Sequence, residues 1–463
     1  MNTPKVSSNA SRRGSCARFA LAAAIAGMVP AFHAGAADIL KTGVAGNLET
    51  AGSWTGGIAP GLGDMATWNS TSILTAAGNI LGANVSWQGL KVTNVTGALS
   101  IGNTAANTLV MTLGAGGIDM TAATQNVTIT NAMTLGGSQS WTVAGGRTLT
   151  LGAAVNSGRS VNSTLGDTLT LAQSGAGTAT FNFNPATAGT GFNDGSSFNA
   201  FAGNWSIGAN VRVLNYRNGA TAWGTGTIGL NGGTIAQNQG AWTWTNNITL
   251  GTGTTSNIED ANTSGTTRAL KLQGVISGDG NLTFIDPNNR MDVNNGFILT
   301  GANTMSGTVT VGANGDLRVG GVAGNDTTLG AGTGGTLGTA SVSLSAATST
   351  LTFSRNNTWT VANAISGSGA LRIGSTGITG TATQDVTLTG ANSYGGPTTI
   401  ANGTARIGAG GTSGSLGSGA VTEQRCPLVQ PQRCGDGGQH DLRHRKPGAG
   451  RRGRDYSERP AQL

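Results

Sequence analysis

Between Ala37 and Thr422 the chain has no cysteine and no histidine. Disulfides, thiol or imidazole nucleophiles, Ser-His and Cys-His pairs, HExxH sites and most zinc sites are thereby excluded from that stretch. Charge is sparse too, at 10% of residues, and aromatics make up 5%. The chain therefore has neither the charge density of a disordered tail nor the large apolar residues of a compact enzyme. After the first residues no amphipathic helical stretch occurs, and no run approaches the roughly 20 apolar residues of a membrane-spanning helix.

What is present is glycine, 79 residues of it, with abundant Thr, Asn and Ser. Branched apolar residues alternate with threonine in NVTIT (Asn126 to Thr130), RTLTL (Arg147 to Leu151), DTLTL (Asp167 to Leu171), STLTF (Ser349 to Phe353) and DVTLT (Asp385 to Thr389). Period two predicts half-buried strands. The intervening GAGG, GTGG and ANG clusters supply tight corners.

The chain also repeats itself. LTGANTMSGTVTVGANGDLRVGG from Leu299 returns as LTGANSYGGPTTIANGTARIGAGG from Leu388, and ISGDGNL from Ile276 returns as ISGSGAL from Ile365, each pair 89 residues apart. Equivalent units at fixed spacing bury their apolar faces against one another. The expected fold is all-β, a right-handed parallel β-helix (β-solenoid), with about 16 to 19 coils of roughly 20 to 25 residues. A β-sandwich is the alternative, but no Pro-rich or charged linker divides the chain into units of about 100 residues.

The first 36 residues read as a signal peptide. Lys5, Arg12, Arg13 and Arg18 precede the apolar run Phe19 to Val29, Pro30 breaks it, and Ala34-Gly35-Ala36 predicts cleavage between Ala36 and Ala37. Cys16 lies before the apolar run, so it is removed with the leader and does not mark a lipoprotein.

The formal charge of +7 is carried by the two ends. The leader holds four basic and no acidic residues, the segment from Glu423 to Leu463 nine basic and five acidic, and the middle 13 against 14. A near-neutral body gives no nucleic-acid footprint. At Glu423 the Thr/Gly/Val texture stops in mid-repeat. Back-translated and read one base later, the tail permits NNAALWFNRSDAVTVANTISGTGSL, which parallels FSRNNTWTVANAISGSGAL from Phe353. The expectation is a frameshift near Thr422. A genuine basic tail binding nucleic acid or anionic lipid is the competing reading. The organisation expected is a signal peptide at 1–36, a solenoid at 37–422 with its clearest repeats at 276–342 and 365–421, and a basic tail at 423–463.

LTGANSYGGPTTIANGTARIGAGGTSGSLGSGAV, from Leu388 to Val421, resembles the autotransporter-associated β-strand repeat of autotransporter passenger domains. A weaker copy covers Leu299 to Val342, and SWTGGIAPGLGDMATW (Ser53 to Trp68) is similar to the start of mature proteins in that group. The resemblance implies inner-membrane secretion, then surface display of a β-helix through a C-terminal outer-membrane β-barrel. No series of alternating transmembrane strands follows the repeats in this sequence.

Few residues suggest chemistry. Gly224, Gly226 and Gly229 have GxGxxG spacing without a βαβ unit, so they read as a corner. Glu259 and Asp260 are adjacent, and Asp286 and Asp292 flank PNNRM; calcium is one reading of the latter pair, a solvated turn the other. No catalytic, cofactor or metal residue is assigned. Trp141, Trp242, Trp244 and Trp359 share strand contexts that suit packing between coils, and Trp242, Trp244 and Trp359 are the candidates for sugar contact if those rings lie outside. Thr-x-Thr pairs raise ordered-water or ice binding, for which their spacing in the sequence is irregular. The expected function is non-enzymatic: an exported adhesin or structural module that binds a surface glycan or protein. The alternatives are a polysaccharide-active β-helix enzyme, which needs carboxylates gathered on one face, and a non-functional product of a damaged gene.

Overall fold

The computed structural model describes residues 36–423, except 104–108, 153–160, 184–200, 217–222, 239–241, 264–268, 291–295, 321–333, 375–383, 402 and 411. The leader up to residue 35, the tail from residue 424 and Asp292 therefore lie outside the described residues. Backbone contacts part the chain into Met1–Ala36 and Ala37–Leu463. The second unit is a parallel β-solenoid.

Its strands build three long ladders, and every pairing between named strands is parallel. The first sheet climbs along a path of ten strands that begins at Ala37–Leu40 and ends at Ile276–Gly278. The second runs from Leu99–Ile101 to Ile365–Gly367, and the third from Trp242–Trp244 to Val421–Glu423. Between Ile228 and Leu299 the chain visits them in rotation: Ile228–Asn231 in the first, Thr234–Gln237 in the second, Trp242–Trp244 in the third, then Ile248–Leu250 in the first again. The sandwich alternative is excluded by this topology. Coils are longer and less uniform than expected: one step takes 20 residues, from Ile228 to Ile248, and another 36, from Thr168 to Asn204.

Alternation explains the core. In Thr148–Leu151 the leucines point inward and the threonines outward. Successive coils then stack like on like, so that Leu149, Phe181, Val213, Ile235, Ile258 and Phe284 form one interior column, each with no exposed surface. Burying such a side chain stabilises by roughly 1.5–3 kcal/mol. That gain is spread along the axis, as expected where each coil contacts only its neighbours.

The 89-residue repeat does not return to the same sheet. Asn281–Ile285 belongs to the second sheet, whereas its equivalent Ala370–Ile373 belongs to the third. Three further second-sheet strands intervene before the chain steps onto that third-sheet strand, so one repeat spans three coils and one further face. The module therefore fits more than one face of the solenoid. Its turn glycine shows why: Gly278 and Gly367 both take a positive φ, and a Cβ on either would lie within 2.2 Å of a carbonyl oxygen in the coil below, that of Leu250 or of Leu344. Only glycine tolerates both demands.

Candidate functional site

The tryptophans go inside. Trp54, Trp68, Trp87, Trp141, Trp205, Trp223 and Trp244 are each at most 2% exposed. At the N-terminal end Trp54 meets Trp68 edge-on with centroids 5.5 Å apart, and their indole N–H groups donate to Leu48 O at 2.8 Å and Asn79 Oδ1 at 2.9 Å. Trp244 packs edge-on against Trp223 at 5.6 Å, so its ring presents no face to a surface sugar, contrary to its candidacy from sequence. Of Trp242 only the backbone is described; it pairs with Leu270. Trp359 is half-buried, edge-on to Phe353 at 5.3 Å, with the Arg355 guanidinium 4.5 Å from its centroid. Burial lowers the pKa of Arg355 below the usual arginine value.

The described carboxylates singled out from the sequence, Glu259, Asp260 and Asp286, do not gather on an open face. Glu259 points outward and receives two hydrogen bonds from Arg212, at 2.7 and 3.0 Å, across two coils. Asp260 and Asp286 follow the inward parity of Ile258 and Phe284, and are 3% and 0% exposed. The solvated-turn reading of Asp286 is thus corrected: an alternating strand that ends one residue earlier delivers its side chain into the interior. Asn215 and Gln237, at 0% and 3%, continue the same interior column. A substrate in solvent cannot reach it. Among the described residues no three His, Cys, Asp or Glu side chains come together.

Of the GxGxxG glycines, Gly224 and Gly226 lie in a corner, whereas Gly229 falls within the strand Ile228–Asn231 and pairs with Ser206 and Thr249. A Cβ on Gly226 would lie 1.9 Å from Gly203 O in the coil below, which leaves no cradle for a phosphate.

Asparagine carries a structural role that composition alone did not reveal. Asn84, Asn126, Asn204, Asn247 and Asn281 each accept a backbone N–H from the following coil at 2.8 to 3.0 Å. These bonds hold successive corners in register.

The sheets differ at the positions that alternate with their inward columns. The third sheet carries Lys271, Ile298, Arg318, Thr352 and Arg372 in one register. Arg318 and the neighbouring Asp316 are each 2% exposed, and burial lowers the pKa of Arg372 while Asp316 partly offsets the effect. The second sheet instead presents Asn257, Thr283, Thr310, Ser343 and Ser366 as one outward column, with Thr255, Asn281, Thr308 and Ser341 beside it. Thr255, Asn281, Ser341 and Ser366 are exposed, the other five are partly buried, and none of the nine is charged. The hydroxyls at irregular intervals in the sequence become regular in space because corners absorb the differences in coil length.

No family model, no curated protein and no solved structure matches this chain. Among the described residues no helix is long and apolar enough to cross a membrane.

Proposed function

We propose that the chain is an exported, non-enzymatic β-solenoid passenger that works as an adhesin or interaction module, with a surface glycan or protein as its partner. Supporting export are the ordered leader features before Ala36 and the resemblance of the repeats to autotransporter passengers, whose display at the cell surface depends on an outer-membrane translocator. The observation that carries the binding reading is the division of labour between faces: most tryptophan rings and the acids Asp260, Asp286 and Asp316 are withdrawn into the core, while the second-sheet rungs above Glu259 turn an uncharged, hydroxyl-rich face outward. A polysaccharide-active enzyme would need accessible paired carboxylates. The test is a panel of glycans and surface proteins, with soluble products measured alongside binding. Saturable binding without release of reducing ends supports the reading; catalytic release of oligosaccharide overturns it.

A second reading has its own observation. Leu272, Leu299, Val319, Phe353, Ile373 and Ile400 form one apolar inward column on the third sheet, and the next position in register is Glu423. A carboxylate at the first residue of the changed texture favours an interrupted reading frame at Thr422. Sequencing the gene beyond that codon tests it: a continuing repeat in the shifted frame supports the interruption, and its absence makes the basic tail genuine.

A further inference from the structure

From the outward face of the second sheet we infer that this solenoid binds ice, an activity beyond the adhesive role proposed above. The relevant area covers the rungs from Thr255–Asp260 to Ile365–Gly367. Its strands pair residue for residue, Asn257 with Thr283, Thr283 with Thr310, Thr310 with Ser343 and Ser343 with Ser366, without a shift of register. Outward polar groups therefore recur at about 4.8 Å along the axis, and at roughly 6.7 Å along each strand, two residues on.

Water hydrogen-bonds to its neighbours at roughly 2.8 Å, and two such tetrahedral steps span roughly 4.5 Å. The rung spacing is close to that second-neighbour distance. Water held on one rung is thus placed to bond, through one further molecule, to water held on the next, and the match repeats for each coil. The groups are also held in place. Threonine is stiff at χ1, Thr308 and Ser341 hydroxyls bond each other at 3.2 Å, and the Asn281 side chain donates to Thr255 Oγ1 at 3.4 Å while accepting Thr308 N–H at 2.9 Å. Individually weak bonds made by a rigid array engage together, which gives avidity without any strong single contact.

Charge selects the occupant. Apart from Glu259, already paired with Arg212 at the lower margin, the outward positions of these rungs are uncharged, so the face complements a neutral lattice and offers nothing specific to an anionic polymer. No outward aromatic ring is available on these rungs for sugar stacking.

The experiment is nanolitre cryoscopy of the purified protein, comparing wild type with the double variant Thr283→Lys/Thr310→Lys and with Thr399→Lys on the third sheet as control. Faceted crystals and a freezing-point gap for wild type and control, lost in the double variant with its circular dichroism unchanged, are expected. Should the double variant not fold, the single variant Ser341→Lys at an exposed position carries the comparison. Folded wild type that neither shapes ice nor opens a freezing gap overturns the inference. So does activity that survives the lysine substitutions. Binding of a neutral polysaccharide that the same lysines abolish, without ice shaping, assigns the face to sugar and likewise overturns it, while leaving the adhesive reading intact.

Discussion

Asn303 and Asn392, 89 residues apart, make the same two bonds on different faces of the solenoid. Asn303 Oδ1 accepts Ile276 N–H at 2.7 Å and its amide donates to Thr336 O at 2.8 Å; Asn392 Oδ1 accepts Ile365 N–H at 3.0 Å and its amide donates to Ser415 O at 2.8 Å. Each asparagine clamps the coil before it to the coil after it. Replacing either by Ala leaves a buried N–H without its acceptor, and the expected loss is about 1–3 kcal/mol per site. Asn→Asp keeps the acceptor but turns an oxygen toward a carbonyl, so it too destabilises. Urea unfolding of Asn303→Ala and Asn392→Ala checks this, and equal stability to wild type contradicts the clamp.

Tyr394 makes the C-terminal repeat sensitive to alkali. Its ring is buried, its hydroxyl lies 2.7 Å from Thr398 Oγ1, and burial raises its pKa above 10.0. A raised folded pKa means that the unfolded chain loses the phenolic proton first. The neutral phenol's contribution is therefore complete below pH 10 and lost as pH climbs through the folded value. Relative to Tyr394→Phe, wild type should lose stability more steeply above pH 10; parallel stability curves for the two proteins would refute the linkage.

Much of this architecture was legible from alternation. The strands at Thr148–Leu151, Thr168–Ser174, Thr350–Phe353 and Asp385–Leu388 fall where branched apolar residues alternate with threonine. The repeat at 89 residues gave the stacked build but not the change of face, because unequal coil lengths hide how many residues complete a turn. The same inequality concealed the hydroxyl columns. Asp286 was misread because Pro287 and two asparagines follow it, although its parity with Leu282 and Phe284 already pointed inward. Trp244 could have been placed inside by its parity with the residues that stack above it, Leu272 and Leu299, had the register been known.

Arg212 and Glu259 join coils two rungs apart with a bidentate pair whose side chains are 28% and 16% exposed. Partial burial and two-pronged geometry place it toward the upper end of surface pairs, so a double-mutant cycle with Arg212→Ala and Glu259→Ala should yield a coupling of about 1 kcal/mol. The coupling should shrink at high salt. A null coupling at low salt removes the pair from the account of what holds the middle coils together.

Trp205 sits in a cluster of four aromatic rings. Its ring lies 4.6 Å from Phe201, 5.8 Å from Phe183 and 5.6 Å from Trp223, and its indole N–H donates to Trp223 O at 2.9 Å. Trp205→Ala should cost about 3–5 kcal/mol through lost burial and a cavity that a stacked core closes poorly. Trp205→Phe should recover most of the packing but not the hydrogen bond, and so fall between the two in denaturant midpoint. Ala and Phe variants of equal stability would mean that this cluster relaxes around the missing ring.

The last prediction concerns the end of the apolar column. Ile373 pairs with Ile400 and Ile400 with Glu423, so a carboxylate occupies a position that six preceding coils fill with apolar side chains. Residues Val421 to Glu423 are exposed, so the substitution Glu423→Ile recovers only part of a buried side chain's value, on the order of 1 kcal/mol. The gain should appear as slower proteolysis of the rungs from Thr398 to Glu423, with little change at the N-terminal end, because coils stabilise mainly their neighbours. Limited proteolysis with mass mapping reads both ends at once. Protection confined to the C-terminal rungs matches the column, whereas no change, or a loss of protection there, would show that Glu423 is accommodated where it stands and would remove the support it lends to an interrupted frame.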